Sequence, residues 1–296
     1  MKKQLLLDQV RMEIRRRNYS YRTEKSYCRW VKQFVRYHNL THPSELKAND
    51  VVSFLNHLAI KRNVAASTQN QALCALVFLY EQVLKMKIDE LHDLKRAKKP
   101  KRMPVVLSSN EVKKLFRHIN GVEKLVCQLM YGSGLRHSEA LGLRILDLDF
   151  SYRQIIVRNG KGLQDRITIM PDSIIGKLKD QVRKVRILHL SDLKKGWGRT
   201  ILPKALNRKY PGVDTELKWQ YVFPSKLRRK DPRSGIIHQY HISERKIQRS
   251  VKWAVRKSGI EKKKFLHTLS AIASQLTCFK MATTSVPSRN CWAIKA

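Results

Sequence analysis

Residues 129–150 read LMYGSGLRHSEALGLRILDLDF. The run opens as the end of an apolar helix, EKLVCQLMYGSG, with Gly132 and Gly134 placed to close it. Arg136 follows the glycines directly, and HSEALG starts a second helix with Glu139 three residues after the arginine. An arginine at such a place is a surface group or a local ion pair, or it is one donor of a phosphate site. Two further positions invite the same question. Lys161 lies in a glycine-rich turn, VRNGKGLQDRI, where a lysine is otherwise simply solvated, and His267 lies in FLHTL, where a histidine between leucines is otherwise structural.

The surrounding chain favours the phosphate reading. Lys and Arg total 61 against 23 acids over 296 residues, a formal net charge of +38. So large an excess goes beyond solubility and implies a polyanionic partner, most simply nucleic acid. A ribosomal or membrane-surface protein would show the same balance. Hydrophobic residues make up 42%, enough for a substantial core, so global disorder is excluded. The five cysteines form no CxxC pair, which reads as reduced thiols in a cytosolic protein and gives zinc no support. No apolar run reaches membrane-spanning length, and the amphipathic start MKKQLLLDQVRMEIRRR is unlike a signal peptide.

Apolar spacing divides the chain. Leu5, Leu6, Val10 and Ile14 form one helical stripe, and Tyr27, Val31, Phe34 and His38 another, with Ser20 as its N-cap. SELKANDVVSFLNHLAI and STQNQALCALVFLYEQVL add two helices, the second with Ala72, Ala75 and Leu79 on one face. Residues 1–94 are therefore a helical domain. Residues 95–107, with Lys98, Lys99, Lys101, Arg102, Pro100 and Pro104, form a basic linker. It is either a solvated tether or a strand of cations lying on phosphates. A second domain starts at Ser108, which stands at capping-box spacing from Glu111. RQIIVRNGKGLQDRITIM predicts two strands, with Ile155 and Val157, then Ile167 and Ile169, in alternation. SIIGKLKDQVRKVRIL predicts a helix. Asp192 to Pro232 is basic and poorly periodic. ERKIQRSVKWAVRKSGI predicts a helix with Ile247, Val251, Ala254 and Val255 on one side.

Taken together, these motifs resemble those of the tyrosine recombinases, or phage-type integrases. LMYGSGLRHSEALGLRILDLDF resembles their first arginine box, IIVRNGKGLQDRITIMP their lysine-bearing hairpin, and HTL the opening of their His-x-x-Arg-His box. The resemblance runs from the N-terminus to Leu269. It implies a mainly helical protein with a small β-sheet: a SAM-like core-binding domain, then a mixed α+β catalytic domain over 108–269, the two clamping duplex DNA. It also implies roles. Arg136 is the first arginine, Lys161 the general acid for the leaving 5′-oxygen, His267 the histidine before the second arginine, and Glu139 the acid orienting the first box. Arginines and histidines would donate to the nonbridging oxygens as charge builds, so no metal or other cofactor is implied.

A narrower likeness concerns the stretch of about 192–243. LPKALNRKYPGVDTELKWQYVFPS and DPRSGIIHQYHISERKIQRSVKWAVRKSGI resemble the segment that distinguishes integron integrases, which recombine gene cassettes, often from a folded single DNA strand. By that similarity Trp219 and His241 are candidate contacts to flipped-out bases, since any base offers a stackable face. Tyr240 stands where the relatives carry histidine, and Trp219 also reads as core packing. The implied partners are DNA, including folded single-stranded sites, and further copies of the chain in a tetrameric synapse, with no membrane.

After Leu269 the pattern stops. Ser270 and Ala271 stand where the family has arginine and histidine, and no tyrosine follows Tyr240. The family nucleophile would fall beyond Ala296. A shifted reading frame accounts for this. Codons read from the third base of each residue from Ser270 on permit RHSFATHLLQDGYDIRSVQELLGHK, the missing family ending. Met281 followed by Ala282, and Trp292 followed by Ala293, force glycines where that ending needs them. Residues 270–296 are expected to be out of frame, and the chain truncated in its catalytic domain. It would then keep its DNA clamp but lack the group that forms the covalent intermediate.

Overall fold

The computed structural model describes residues 5–86, 97, 107–158, 164–202, 206, 209–231 and 235–260. The chain divides into two compact units, residues 1–102 and 103–296. Lys98, Lys99, Lys101, Arg102, Lys161, His267 and the divergent stretch 270–296 lie outside the described residues.

Among the described residues the first unit packs four helices: α1 (Leu6–Arg16), α2 (Tyr21–Tyr37), α3 (Ala48–Asn56) and α4 (Ala66–Phe78). The last two run on into π turns at His57–Lys61 and Leu79–Leu84. The helical stripes bury Val10, Ile14, Val31, Phe34 and Leu79 in one core, and Ala72 and Ala75 are fully covered on the face of α4. Leu5 departs from its stripe. It is the N-cap of α1 and 73% exposed, because the turn that would bury it starts one residue later. Ser20 accepts a hydrogen bond from the Thr23 amide and caps α2. Arg15 donates twice to the buried Glu24, at 3.0 and 2.9 Å, tying α1 to α2. The Asn70 side chain makes a two-point pair with the backbone of Ala97, at 2.9 and 3.0 Å.

In the second unit, α5 (Ser109–Arg117) begins in the expected Ser108–Glu111 capping box. Next come α6 (Gly121–Ser133) and α7 (His137–Gly142). Gly134, at φ 64°, ends α6 in the left-handed region. Gly132 stays inside the helix for a different reason: a Cβ there would lie 2.1 Å from Cγ of Pro171. An antiparallel sheet β1-β2-β3 follows, from Leu148–Asp149, Gln154–Val157 and Arg166–Ile169, in the register Ile155↔Thr168 and Val157↔Arg166. The alternation holds, but of the two expected strands only β2 turns an apolar face to the core. Ile167 and Ile169 are exposed, while the more covered positions of β3 are Arg166 and Thr168. Those two are spent on polar ties; Thr168 Oγ1 donates to the Ser133 carbonyl at 2.7 Å.

Helix α8 (Asp172–Lys194) reaches past the point where the sequence loses its period. Its buried stripe continues through Gln181, His189 and Asp192, polar residues that hide the helical spacing. The basic stretch beyond it contains a hairpin, β4 (Pro224–Lys230) with β5 (Ile237–His241). Helix α9 (Glu244–Lys257) buries Ile247, Val251, Ala254 and Val255 as expected. It returns to α6 and α7 through Lys246–Glu123 and His137–Glu244 contacts. Among the described residues no helix is long and apolar enough to cross a membrane.

Candidate active site and aromatic cavity

Arg136 occupies the N-cap of α7, in extended conformation. Glu139, one turn on, folds back over it. The carboxylate accepts from the Arg136 backbone N–H at 2.9 Å and from its Nη1 at 2.7 Å. The third partner comes from β3: Arg166 donates from Nη1 and Nη2 at 2.9 and 2.7 Å, a bidentate pair that ties the sheet to α7. Glu139 is 7% exposed at its side chain and Arg136 50%. Burial works against the Glu139 charge, but the hydrogen bonds from Arg166, then from the Arg136 amide and guanidinium, outweigh it and hold the carboxyl at about 2. Glu139 therefore stays ionised and steers an arginine whose remaining surface is open. A guanidinium held this way can donate to nonbridging phosphate oxygens without reorganising.

Arg166 was not among the residues singled out from sequence. The available signal was its position opposite Val157, and that depends on a strand register the sequence does not state. Lys161 and His267, expected beside Arg136, lie outside the described residues.

A second cluster adjoins this one. The segment after α7 pairs with the segment after Trp219: Val222 N–H donates to the Leu143 carbonyl at 2.9 Å, and Ile145 N–H to the Gln220 carbonyl at 3.1 Å. This pairing borders an open cavity of about 360 Å³, lined by Glu139, Arg144, Arg158, Trp219, Tyr240 and His241 among others. Tyr221 is buried at its wall, and burial pushes its phenol up to about 12. It meets Tyr240 and His241 edge-on, each with ring centroids 5.5 Å apart. Tyr240 and His241 lie 3.9 Å apart at 36°. The His241 Nδ1 is 2.8 Å from the Ile242 carbonyl oxygen, so Nδ1 carries the proton and Nε2 accepts when the ring is neutral. Burial lowers the pKa of that ring, favouring the neutral form. Trp219 is half-buried, neither wholly in the core nor free. Trp219 and His241, paired on likeness alone, thus line one cavity. Flat rings with an acceptor at His241 Nε2 suit a flat ligand that can donate a hydrogen bond.

Among the described residues no group of three or more His, Cys, Asp or Glu could hold a metal ion.

The N-terminal SAM-like domain of phage integrases matches residues 6–90, and the phage integrase family matches residues 105–282. An integrase/recombinase of Escherichia coli is 41% identical over 264 residues, covering 89% of this chain and 78% of that one. The tyrosine recombinase XerA of Thermococcus kodakarensis is 31% identical over 162 residues, covering 53% and 54%. Two solved structures share the fold. The Tn1549 transposon integrase in complex with transposon right end DNA superposes with a TM-score of 0.61 at 16% identity, covering 95% of this chain and 88% of that one. The XerH recombinase bound to difH gives 0.55 at 16%, covering 94% and 76%.

Proposed function

Because the chain belongs to the phage integrase family of tyrosine recombinases, which break and rejoin DNA, we propose that it is of the integron-integrase type, built to recombine gene cassettes. Its DNA includes folded single-stranded recombination sites, assembled by four copies in the cytoplasm. The observation that carries this reading is the aromatic cavity of Trp219, Tyr221, Tyr240 and His241 against the Arg136–Glu139–Arg166 cluster. Phosphate clamping needs only the arginines. A walled aromatic cavity beside them supports recognition of a base that has left its stack.

Arg136 would donate to the scissile phosphate, with Glu139 fixing its direction. Lys161 would protonate the departing 5′-oxygen, and His267 would donate beside it. Lys98, Lys99, Lys101 and Arg102 would lie along the DNA backbone. With Ser270 and Ala271 in place of arginine and histidine, and no tyrosine among residues 241–296, these 296 residues bind the site but form no phosphotyrosyl bond.

Two measurements on purified protein test this. A folded cassette-end strand with unpaired bases should bind more tightly than a duplex of the same length at 0.15 M salt; equal affinity removes the cassette reading. A nicked substrate that traps covalent protein–DNA should give no shifted band after denaturation. It should give one when residues 270 onward are replaced by the frame-restored ending with its downstream tyrosine. A covalent band from the 296-residue chain refutes the out-of-frame reading and leaves the cassette reading standing.

A further inference from the structure

Arg144 is half-buried among the groups just described, yet it does none of the work assigned to them. Its guanidinium meets no carboxylate among the described residues. Nη1 donates to the Trp219 carbonyl at 2.6 Å and, more weakly, to Thr200 Oγ1 at 3.4 Å; Nη2 donates to the Ile201 carbonyl at 2.7 Å. Its Cζ lies 4.7 Å from the ring centroid of Tyr221 and 5.8 Å from that of Trp219. The nearby acid, Asp147, is already engaged. It accepts from the Arg144 backbone N–H at 2.9 Å and from Arg158 Nε at 2.7 Å. A cation bound by a carboxylate can follow that side chain as it moves. A planar fork bound by two main-chain carbonyls instead fixes two backbone segments relative to its own.

Those segments are the stretch at 200–201 and the stretch at 219, both outside the arginine box, while Arg144 itself lies two residues beyond α7. The pairing of Leu143–Ile145 with Gln220–Val222 runs directly alongside. We infer that Arg144 is a positioning residue: it locks the Trp219–Tyr221 platform to the chain that leaves the Arg136 helix, and so presets the cavity for an unpaired base. The inference rests on Trp219 being a base contact, and the test separates the two.

Arg144→Met removes the fork and the charge at similar length, and Arg144→Lys keeps the charge without the fork. The first readout is hydrogen exchange at the Ile145 and Val222 amides without DNA. The second is the ratio of affinities for a folded strand with an unpaired base and for the same strand made abasic there. With helical content unchanged, both variants should exchange these amides at least about ten-fold faster and lose about ten-fold in the ratio, as expected for losing hydrogen bonds to a charged group. The salt dependence of binding, which reports phosphate contacts, should stay as in the wild type. A purely structural role would lower both affinities together and leave the ratio intact, overturning the inference. Full recovery by lysine would also overturn it, since charge alone would then suffice. If the methionine variant does not fold, the lysine variant decides. If the wild-type ratio is one, the base-contact reading fails, and unchanged amide exchange would then remove the locking role as well.

Discussion

Glu139→Gln is the sharpest test of how Arg136 is held. The carboxylate receives four hydrogen bonds from Arg136 and Arg166. Displacement of its pKa from 4.5 to about 2 corresponds to about 3 kcal/mol at about 1.36 kcal/mol per pH unit. Arg136 is half exposed and Arg166 about one-third, so water screens both, and about 2 kcal/mol is the expected gap between wild type and variant. The folded-state pKa is depressed. The stabilisation is therefore complete above about pH 4.5 and is lost as pH falls toward 2. Urea unfolding at pH 6.5 and pH 3 measures it. The wild type should exceed the variant by about 2 kcal/mol at pH 6.5 and by less than about 1 kcal/mol at pH 3, where protonation favours the unfolded chain. Glu13, held at about 2 by Arg16 and then Arg17, titrates in both proteins and cancels in the difference. A gap that stays constant across this range, or is absent at pH 6.5, would refute the assignment of Glu139 as the ionised anchor.

Three further outcomes are expected. Gly132→Ala should lower the free energy of unfolding by about 1–3 kcal/mol through its collision with Pro171; a gain would show that α6 and the Pro171 turn separate easily. Trp219→Ala should cost a folded single strand about 1–3 kcal/mol in binding titrations and leave plain duplex unchanged; equal losses on both would return Trp219 to a packing role. Replacing Lys98, Lys99, Lys101 and Arg102 together by alanine should reduce the slope of log Kobs against log salt by about 3–4 on duplex DNA, and an unchanged slope would make the linker a plain tether.

What could be read from the sequence was what lies within one helical turn of itself. Ser20 with Thr23, Ser108 with Glu111 and Arg136 with Glu139 are all three residues apart, and all three pairs meet in the fold. Apolar spacing ends helix α8 early because its buried stripe passes from Val185 to His189 and Asp192, whose polarity breaks the apolar count. The β4–β5 hairpin leaves no signal in the sequence because SKLRRK has charge where alternation would show. Arg166 and Arg144 were missed for a different reason. One depends on the register of β3 against β2, and the other on chain 57 and 75 residues away.

That difference bears on how basic the chain is. With 61 lysines and arginines, charge alone cannot separate a cation facing DNA from one that organises the protein. Partners can. Arg136 gives one guanidinium nitrogen to a carboxylate and keeps half its side-chain surface open, which leaves it available to phosphate. Arg166 turns both terminal nitrogens onto the same acid, and Arg144 turns both onto backbone carbonyls. A guanidinium committed in this way is aimed by its protein partners and has only the rest of its five N–H groups for a phosphate. Removing it should therefore change the selectivity or stability of the protein more than the salt dependence of its binding, whereas Arg136 and the linker cations should do the reverse.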